Sequence, residues 1–343
     1  MHVFLYEWVT GGGMLGHQGA LPESLLVEGL AMAQAVAEDA RRVPGWRATL
    51  LRDLRVPQLN AFGGELLTVD SRAAHDDAFA RLCREADAVL LIAPEIDGDL
   101  LRTVGAAEAY GAKLASPNAD FVELASNKHR TAAHLARAGV PVVDGILMPS
   151  DEPLPAHRSY PAVIKPNDGA GSGDIYVVAG PHDTPPASVG DRRVEPLIPG
   201  TAASVAALSG PDGSTVLPPC RQRLSIDGRL RYLGGATPLP AGQAARAADL
   251  ARRVVQAMPP TQGYFGIDLV LDPSPDGAGD RVIEVNPRLT TSYTGLRFAV
   301  CENLAERMVN TALGTPGPVT VQPRAIEFGV DGTVSYTDTP VNE

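Results

Sequence analysis

The first 117 residues alternate between short apolar runs and segments of helical spacing, a rhythm that few architectures accept. HVFLYEWV at 2–9 has strand character, Glu23 to Ala40 carry apolar residues at helical spacing, and a second apolar run follows at Trp46 to Leu51. A helix over Ala73 to Ala86 then leads into AVLLIAP at 88–94, a helix near 98–110 and a short strand, KLAS, at 113–116. Strands and helices alternating at these lengths predict a small parallel sheet with helices on both faces, ending near residue 117.

The rhythm then changes. Asn127 to Ala138 form a helix stopped by Gly139, and VPVVDGILM continues as an edge strand. YPAVIKPNDGAGSGDIYVVA at 160–179 has the pattern of strand, glycine loop and strand, and a second hairpin set fits 203–208, 215–224 and 229–234. Ala241 to Met258 form a helix, GYFGIDLVLD (263–272) and RVIEVNPR (281–288) two strands, and Glu302 to Leu313 a last helix. The proline- and glycine-rich tail from Gly314 gives no clear instruction. The expected division is 1–117, 118–194 with the glycine loop, 195–313 with the paired acidic strands, and a 314–343 tail. A length of 343 residues suits two or three packed units.

Composition narrows the function. No stretch approaches the roughly 20 apolar residues that a bilayer span requires. MHVFLYEWVTGGG has neither the basic leader nor the cleavage site of a signal peptide, so a cytoplasmic location is expected. Cys83, Cys220 and Cys301 lie far apart without CxxC spacing and are expected to be buried or partly buried free thiols. A net charge of -11 disfavours nucleic acid as partner, while leaving room for a local basic groove that holds a small anion.

Four separated pieces carry chemistry. Lys165 ends the strand AVIKP and is followed by Asn167, Asp168, Gly169, Ala170, Gly171, Ser172 and Gly173. Such a loop can turn backbone N–H groups onto phosphate oxygens beside a lysine cation, although glycine-rich hairpin tips also occur without ligands. Asp268 sits inside an apolar strand, where a charge is costly unless compensated, and Glu284 and Asn286 stand two apart on one face of another strand. Two carboxylates and an amide oxygen suit magnesium; an ion-pair network using Arg288 is the alternative. Glu195, Pro196, Leu197 and Ile198 offer a carboxylate before an apolar stretch able to pack on adenine. Lys128, taken alone, is an ordinary helix lysine.

Together these pieces resemble the ATP-grasp superfamily over about 118–313, with the preceding residues resembling its Rossmann-like preATP-grasp domain. The resemblance implies an ATP-grasp fold of mixed α/β (α+β) class. It implies that Lys128, Lys165 and the 169–173 loop contact ATP phosphates, and that Glu195 to Ile198 receive adenine. Asp268, Glu284 and Asn286 would hold Mg2+, with Mn2+ as a substitute, and Arg288 would lie near the transferred phosphate. Many members carry a ribose-binding acid shortly after the hinge glutamate; here Ala202 and Ala203 stand there, so the ribose must be held otherwise. Arg221 and Arg223, ahead of Arg231, are candidates to stabilise an acyl phosphate.

The implied reaction is ADP-forming activation of a carboxylate followed by attack of an amine. The segments Glu7-Trp8-Val9-Thr10-Gly11-Gly12-Gly13 and Arg288-Leu289-Thr290-Thr291-Ser292-Tyr293 are similar to those of the tyramine–glutamate ligases of methanofuran biosynthesis and their bacterial relatives. That similarity implies glutamate and an aromatic amine such as tyramine as partners, with Glu7, Thr10, Gly11, Gly12, Gly13, Thr291, Ser292 and Tyr293 near them. The 290–294 run can also be plain turn chemistry. Another amino acid or peptide ligase, including a D-alanine type, is the rival reading, and a homodimer is left open. Gly11, Gly13 and Gly16 satisfy GxGxxG, but Gly19 and Pro22 prevent a helix from opening there, which weakens an NAD-dependent oxidoreductase.

Overall fold

The computed structural model describes residues 1–17, 19–56, 64–169, 174–186 and 190–337. The chain begins with β1 (His2–Glu7), α1 (Glu23–Arg41), β2 (Arg47–Asp53), β3 (Glu65–Val69), α2 (Arg72–Glu85), β4 (Ala88–Ile92) and α3 (Asp99–Ala109). The four strands pair in parallel in the order β3-β2-β1-β4. All five residues of β4 are buried, as expected for a strand covered on both faces. Val3, Leu5 and Leu50 pack beneath α1, whereas Phe4, Leu51 and Leu91 pack beneath α2 and α3. The expected KLAS strand contributes a single parallel bridge, Val89 to Leu114. Strand β3 was not foreseen, because ELLTV is only half-buried and leaves a weak apolar signal.

Two short helices, α4 (Ala119–Ala125) and α5 (Lys128–Arg137), follow. Asn118 and Asn127 cap them, their side chains accepting from the N–H of Phe121 and Arg130. Strands β5 (Ile146–Met148), β6 (Ala162–Pro166), β7 (Tyr176–Val178) and β8 (Arg192–Pro196) make a small antiparallel sheet in the order β5-β8-β6-β7. The 160–179 hairpin and the edge strand are therefore present. The expected division at 194/195 falls inside β8.

A larger antiparallel sheet contains β9 (Thr201–Gly210), β10 (Gly213–Val216), β11 (Cys220–Leu224), β12 (Tyr232–Thr237), β13 (Gly263–Leu271) and β14 (Arg281–Asn286). Helix α6 (Ala241–Ala257) covers its back through Ala247, Leu250 and Val254 against Ala203, Ile267 and Leu269. Helices α7 (Tyr293–Ala299) and α8 (Leu304–Ala312) pack on its other side with α1. The uninstructive tail adds β15 (Ala325–Phe328) and β16 (Val334–Thr337) beside β12.

The N-terminal domain and the large sheet share one core, in which Val3, Leu5 and Ala33 join Leu208, Tyr264, Tyr293 and Phe328. Gly263 makes one contact possible: its φ is 78°, and a Cβ there would stand 2.2 Å from the Ala115 carbonyl. The small sheet keeps a separate core of Met148, Leu154, Ala162, Ile164, Val178 and Val194. Among the described residues no helix is long and apolar enough to cross a membrane.

Candidate active site

A cleft of about 200 Å³ lies between the small and large sheets and is closed at one end by the N-terminal domain. Strand β6 delivers Lys165 and β8 delivers Glu195, because the two strands pair with Val163 opposite Glu195 and Lys165 opposite Arg193. Lys165 Nζ is 2.6 Å from Glu195 Oε1, and Arg193 Nε donates to Glu195 Oε2 at 2.9 Å. All three side chains are buried, so the carboxylate is held by two cations and cannot turn toward a ligand without breaking an ion pair. Pro196, Leu197 and Ile198 line the cleft as expected for an adenine wall, although the Leu197 N–H already donates to the Pro161 carbonyl.

The large sheet supplies the acidic side. Asp268 on β13 stands directly opposite Glu284 on β14, and Asn286 lies on the same face. Burial first, and the Glu284 charge second, push the Asp268 carboxyl up to about 7, against the pull of Asn286, Arg288 and Lys165. For Glu284 burial also works upward, but Lys128, Lys165 and Arg288 outweigh it and hold the carboxyl below its ordinary range. Two carboxylates forced together in a buried cleft favour a shared cation, and oxygen donors of this kind suit Mg2+. Asp268, Glu284 and the Asn286 side-chain oxygen fit that ion. In this structure Asn286 Nδ2 and Gln222 Nε2 donate to Asp268 instead, at 3.1 and 2.9 Å.

Lys128 bridges the halves. Its Nζ donates to the Gly169 carbonyl at 2.9 Å and lies 3.7 Å from Glu284 Oε2. Asn167 fixes the start of α5, its carbonyl and side-chain oxygen accepting from the N–H groups of Lys128 and His129. The lysine is thereby tied to the first residue of the glycine loop. Ala170, Gly171, Ser172 and Gly173 lie outside the described residues.

Arg288 follows β14 into the cleft and donates Nε to Glu95 at 2.9 Å. Thr290, Thr291 and Ser292 line the same end, with Tyr264 Oη within 3.1 Å of the hydroxyls of Thr290 and Ser292. Glu7 borders a small neighbouring cavity that also touches Glu28 and Arg288, while its carboxylate accepts from the Thr10 N–H at 2.8 Å.

Several expected site residues are not brought there. Arg221 stands opposite Ala203, and Ala203 opposite Leu269, so by the two-residue period of a strand Arg221 and Arg223 face the back of the sheet. Gln222 between them faces the cleft. Arg231 pairs with Asp227 at 2.6 Å on an exposed turn. Tyr293 is fully buried and donates its hydroxyl to Asp39, an interdomain tie rather than a cleft wall. Thr10, Gly11 and Gly12 hold the turn after β1, and Gly13 lines a separate cavity with Trp8, His75 and Asp99. Helix α1 opens only at Glu23, so no helix follows Gly16 as a dinucleotide motif requires.

Glu28, Glu95, Gln222, Ser204 and Tyr232 were missed. Glu28 and Glu95 come from the N-terminal domain, and no local pattern marks them as facing a cleft; alternation on β11 could have found Gln222.

Residues 125–292 match the ATP-grasp domain, and residues 46–120 match the pre ATP-grasp 3 domain. A structure from Archaeoglobus fulgidus described as of the ATP-grasp superfamily superposes with a TM-score of 0.69 at 23% identity, covering 95% of this chain and 92% of its own. N5-carboxyaminoimidazole ribonucleotide synthetase, solved as its ADP complex, has a TM-score of 0.68 at 15% identity, covering 96% of this chain and 81% of its own. Biotin carboxylase from Campylobacter jejuni, solved as a beta-gamma-ATP complex, gives 0.68 at 17%, covering 94% and 74%. Comparison with curated protein sequences finds no match. The two domain matches, which together span most of the chain, and the shared fold place the protein in the ATP-grasp superfamily. It is an enzyme of the ATP-grasp class, whose members work with ATP and Mg2+.

Proposed function

We propose that the protein is an ADP-forming carboxylate–amine ligase that joins glutamate to tyramine or a similar aromatic amine, as in methanofuran-type cofactor assembly. The observation that carries the ligase chemistry is the convergence of Lys128 and Lys165 on the facing carboxylates Asp268 and Glu284. The two lysines neutralise phosphate oxygens, and Pro196 to Ile198 pack against the adenine. Bound magnesium would screen the charge building up on the transferred phosphoryl group. The substrate carboxylate oxygen forms a bond to the terminal phosphorus as the bond to ADP breaks, leaving an acyl phosphate. The amine nitrogen, having lost its proton, then attacks the acyl carbon, and phosphate departs to leave the amide. Arg288, fixed by Glu95, lies where it can hold an anionic oxygen of donor or phosphate.

The glutamate and tyramine assignment is supported only by the sequence likeness of the EWVTGGG and NPRLTTSY segments, of which Arg288, Thr290, Thr291 and Ser292 line the cleft. Product mass from ATP, Mg2+, tyramine and a panel of amino acids is the test. The expected result is a glutamyl-tyramine mass with one ADP per amide. Product only from another amino acid pair would replace these substrates, and ADP formation independent of any carboxylate and amine would end the ligase reading.

A further inference from the structure

We infer that Glu28, on α1 of the N-terminal domain, is the binding subsite for a primary ammonium group at the end of the cleft walled by Arg288, Thr291 and Ser292. The inference rests on the ligase reading and names a residue that the reading leaves without a role.

Each of the other carboxylates lining the cleft has a cation beside it or a place in the metal site. Glu195 has Lys165 and Arg193 and Glu284 has Lys128, and Glu95, behind the cleft lining, has Arg288. Asp268 accepts from Gln222 and Asn286. Glu28 differs. Its hydrogen bond comes from the neutral Thr291 hydroxyl at 3.3 Å, and among the described residues it has no ion pair within 4.0 Å. Arg288 is the cation that acts on it, but that guanidinium donates to Glu95 and to the Leu289 carbonyl. Burial pushes the Glu28 carboxyl above its ordinary range, as expected for a carboxylate whose desolvation is not repaid within the protein.

A carboxylate lining a ligand cleft in that condition is satisfied by a donor the ligand brings. An ammonium group supplies three N–H donors and the opposite charge, and a ligase of this class handles one on its acceptor amine, or on the α-carbon of an amino acid donor. The chemistry is the same for both sources. The side chain also borders a cavity of about 30 Å³ beside Glu7 and Pro94, room for a water or two next to a bound ammonium group.

Glu28→Gln keeps the shape and removes the charge. Three measurements on the full chain separate the outcomes. Hydroxamate formation from glutamate and from glutarate, with neutral hydroxylamine as acceptor, reports activation with and without an α-ammonium on the donor. Amide formation with tyramine reports a cationic acceptor. Calorimetric titration of the Mg-ADP complex with glutamate and with tyramine reports binding without turnover. If the donor is read, Glu28→Gln raises KM for glutamate at least tenfold and leaves glutarate unchanged. If the acceptor is read, KM for tyramine rises at least tenfold and hydroxamate formation is unchanged. Glu28→Asp keeps part of the affinity in either case, and unchanged ADP binding shows that the variants are folded. Equal constants for both ammonium compounds in wild type and Glu28→Gln overturn the inference, as does a wild type that binds neither. Failure of the ligase reading has a different mark: no hydroxamate from any carboxylate tried, whatever residue stands at 28.

Discussion

Arg288 and Glu95 are 193 residues apart in sequence and 2.9 Å apart in the fold, both almost buried. The pair hooks the end of the acidic strand onto the N-terminal domain. Removing one partner of such a pair strands a charge in low dielectric, at a cost of about 3–5 kcal/mol. Glu95→Ala is therefore expected to lower the denaturant midpoint sharply, and Glu95→Ala combined with Arg288→Met to recover part of the loss. A double variant as unstable as the sum of its single changes would show that the two residues do not act on each other.

Glu284→Ala removes one of the two facing carboxylates while leaving β14 paired with β13. The expected outcome is loss of ATP turnover with little change in the circular dichroism spectrum. Nucleotide binding gives a second readout. ADP with Mg2+ should raise the melting temperature of the wild type more than ADP with a chelator does, and the variant should lose that difference. A magnesium-dependent gain of wild-type size in Glu284→Ala would take the metal away from this position.

Asp39 ties α1 to α7, accepting from Tyr293 Oη at 2.7 Å and from the Arg297 guanidinium, with Nη2 at 2.5 Å. Tyr293→Phe deletes only the hydroxyl. A hydrogen bond to a charged acceptor is worth about 1.5–3 kcal/mol, so a loss near 2 kcal/mol is expected, with KM for any substrate unchanged. A large change in KM without loss of stability would return Tyr293 to the substrate site.

His75 offers a pH signature. Burial is the main cause that lowers its pKa below 6.5, and the ring sits between Tyr6 Oη at 2.9 Å and Asp76 Oδ1 at 2.8 Å. With a lowered folded value, the folded protein keeps the ring neutral at a pH where the unfolded chain takes up a proton. Stability is thus full above 6.5 and declines as the pH falls below it. Urea midpoints between pH 7.5 and about 5.5 should fall more steeply for the wild type than for His75→Gln. Parallel slopes would remove His75 from the acid response.

The parts legible in the sequence were those where a residue contradicts its surroundings. Asp268 and Glu284 stand out because charge is rare inside apolar strands, and the structure puts them opposite each other. Lys165 stands out in the same way inside AVIKP. The α/β rhythm of the first domain was legible because β1 and β4 are buried on both faces. Other parts depend on partners that no local pattern names. Tyr293 meets Asp39 across 254 residues, so NPRLTTSY could suggest a cleft wall but could not reveal which residue turns inward. Arg221 and Arg223 fit a phosphate by charge, but the register of β11 against β9 decides which face they take. The tail's AIEF and VSYT are too short to announce themselves as strands until β12 offers them an edge.

The shared core has a mechanical consequence. Close-packed layers cannot slide past one another without opening voids, so the N-terminal domain and the large sheet, joined through Leu5, Tyr293 and Phe328, form a single anvil. The small sheet rests on its own six buried side chains, and its Lys165, Glu195 and Arg193 travel together as one electrostatic unit. Widening the cleft therefore means lifting that hammer from the anvil, and the ties that resist it are those reaching across, chiefly from Lys128, whose helix packs on the large-sheet core, to the Gly169 carbonyl and from Lys165 to the Ile283 carbonyl.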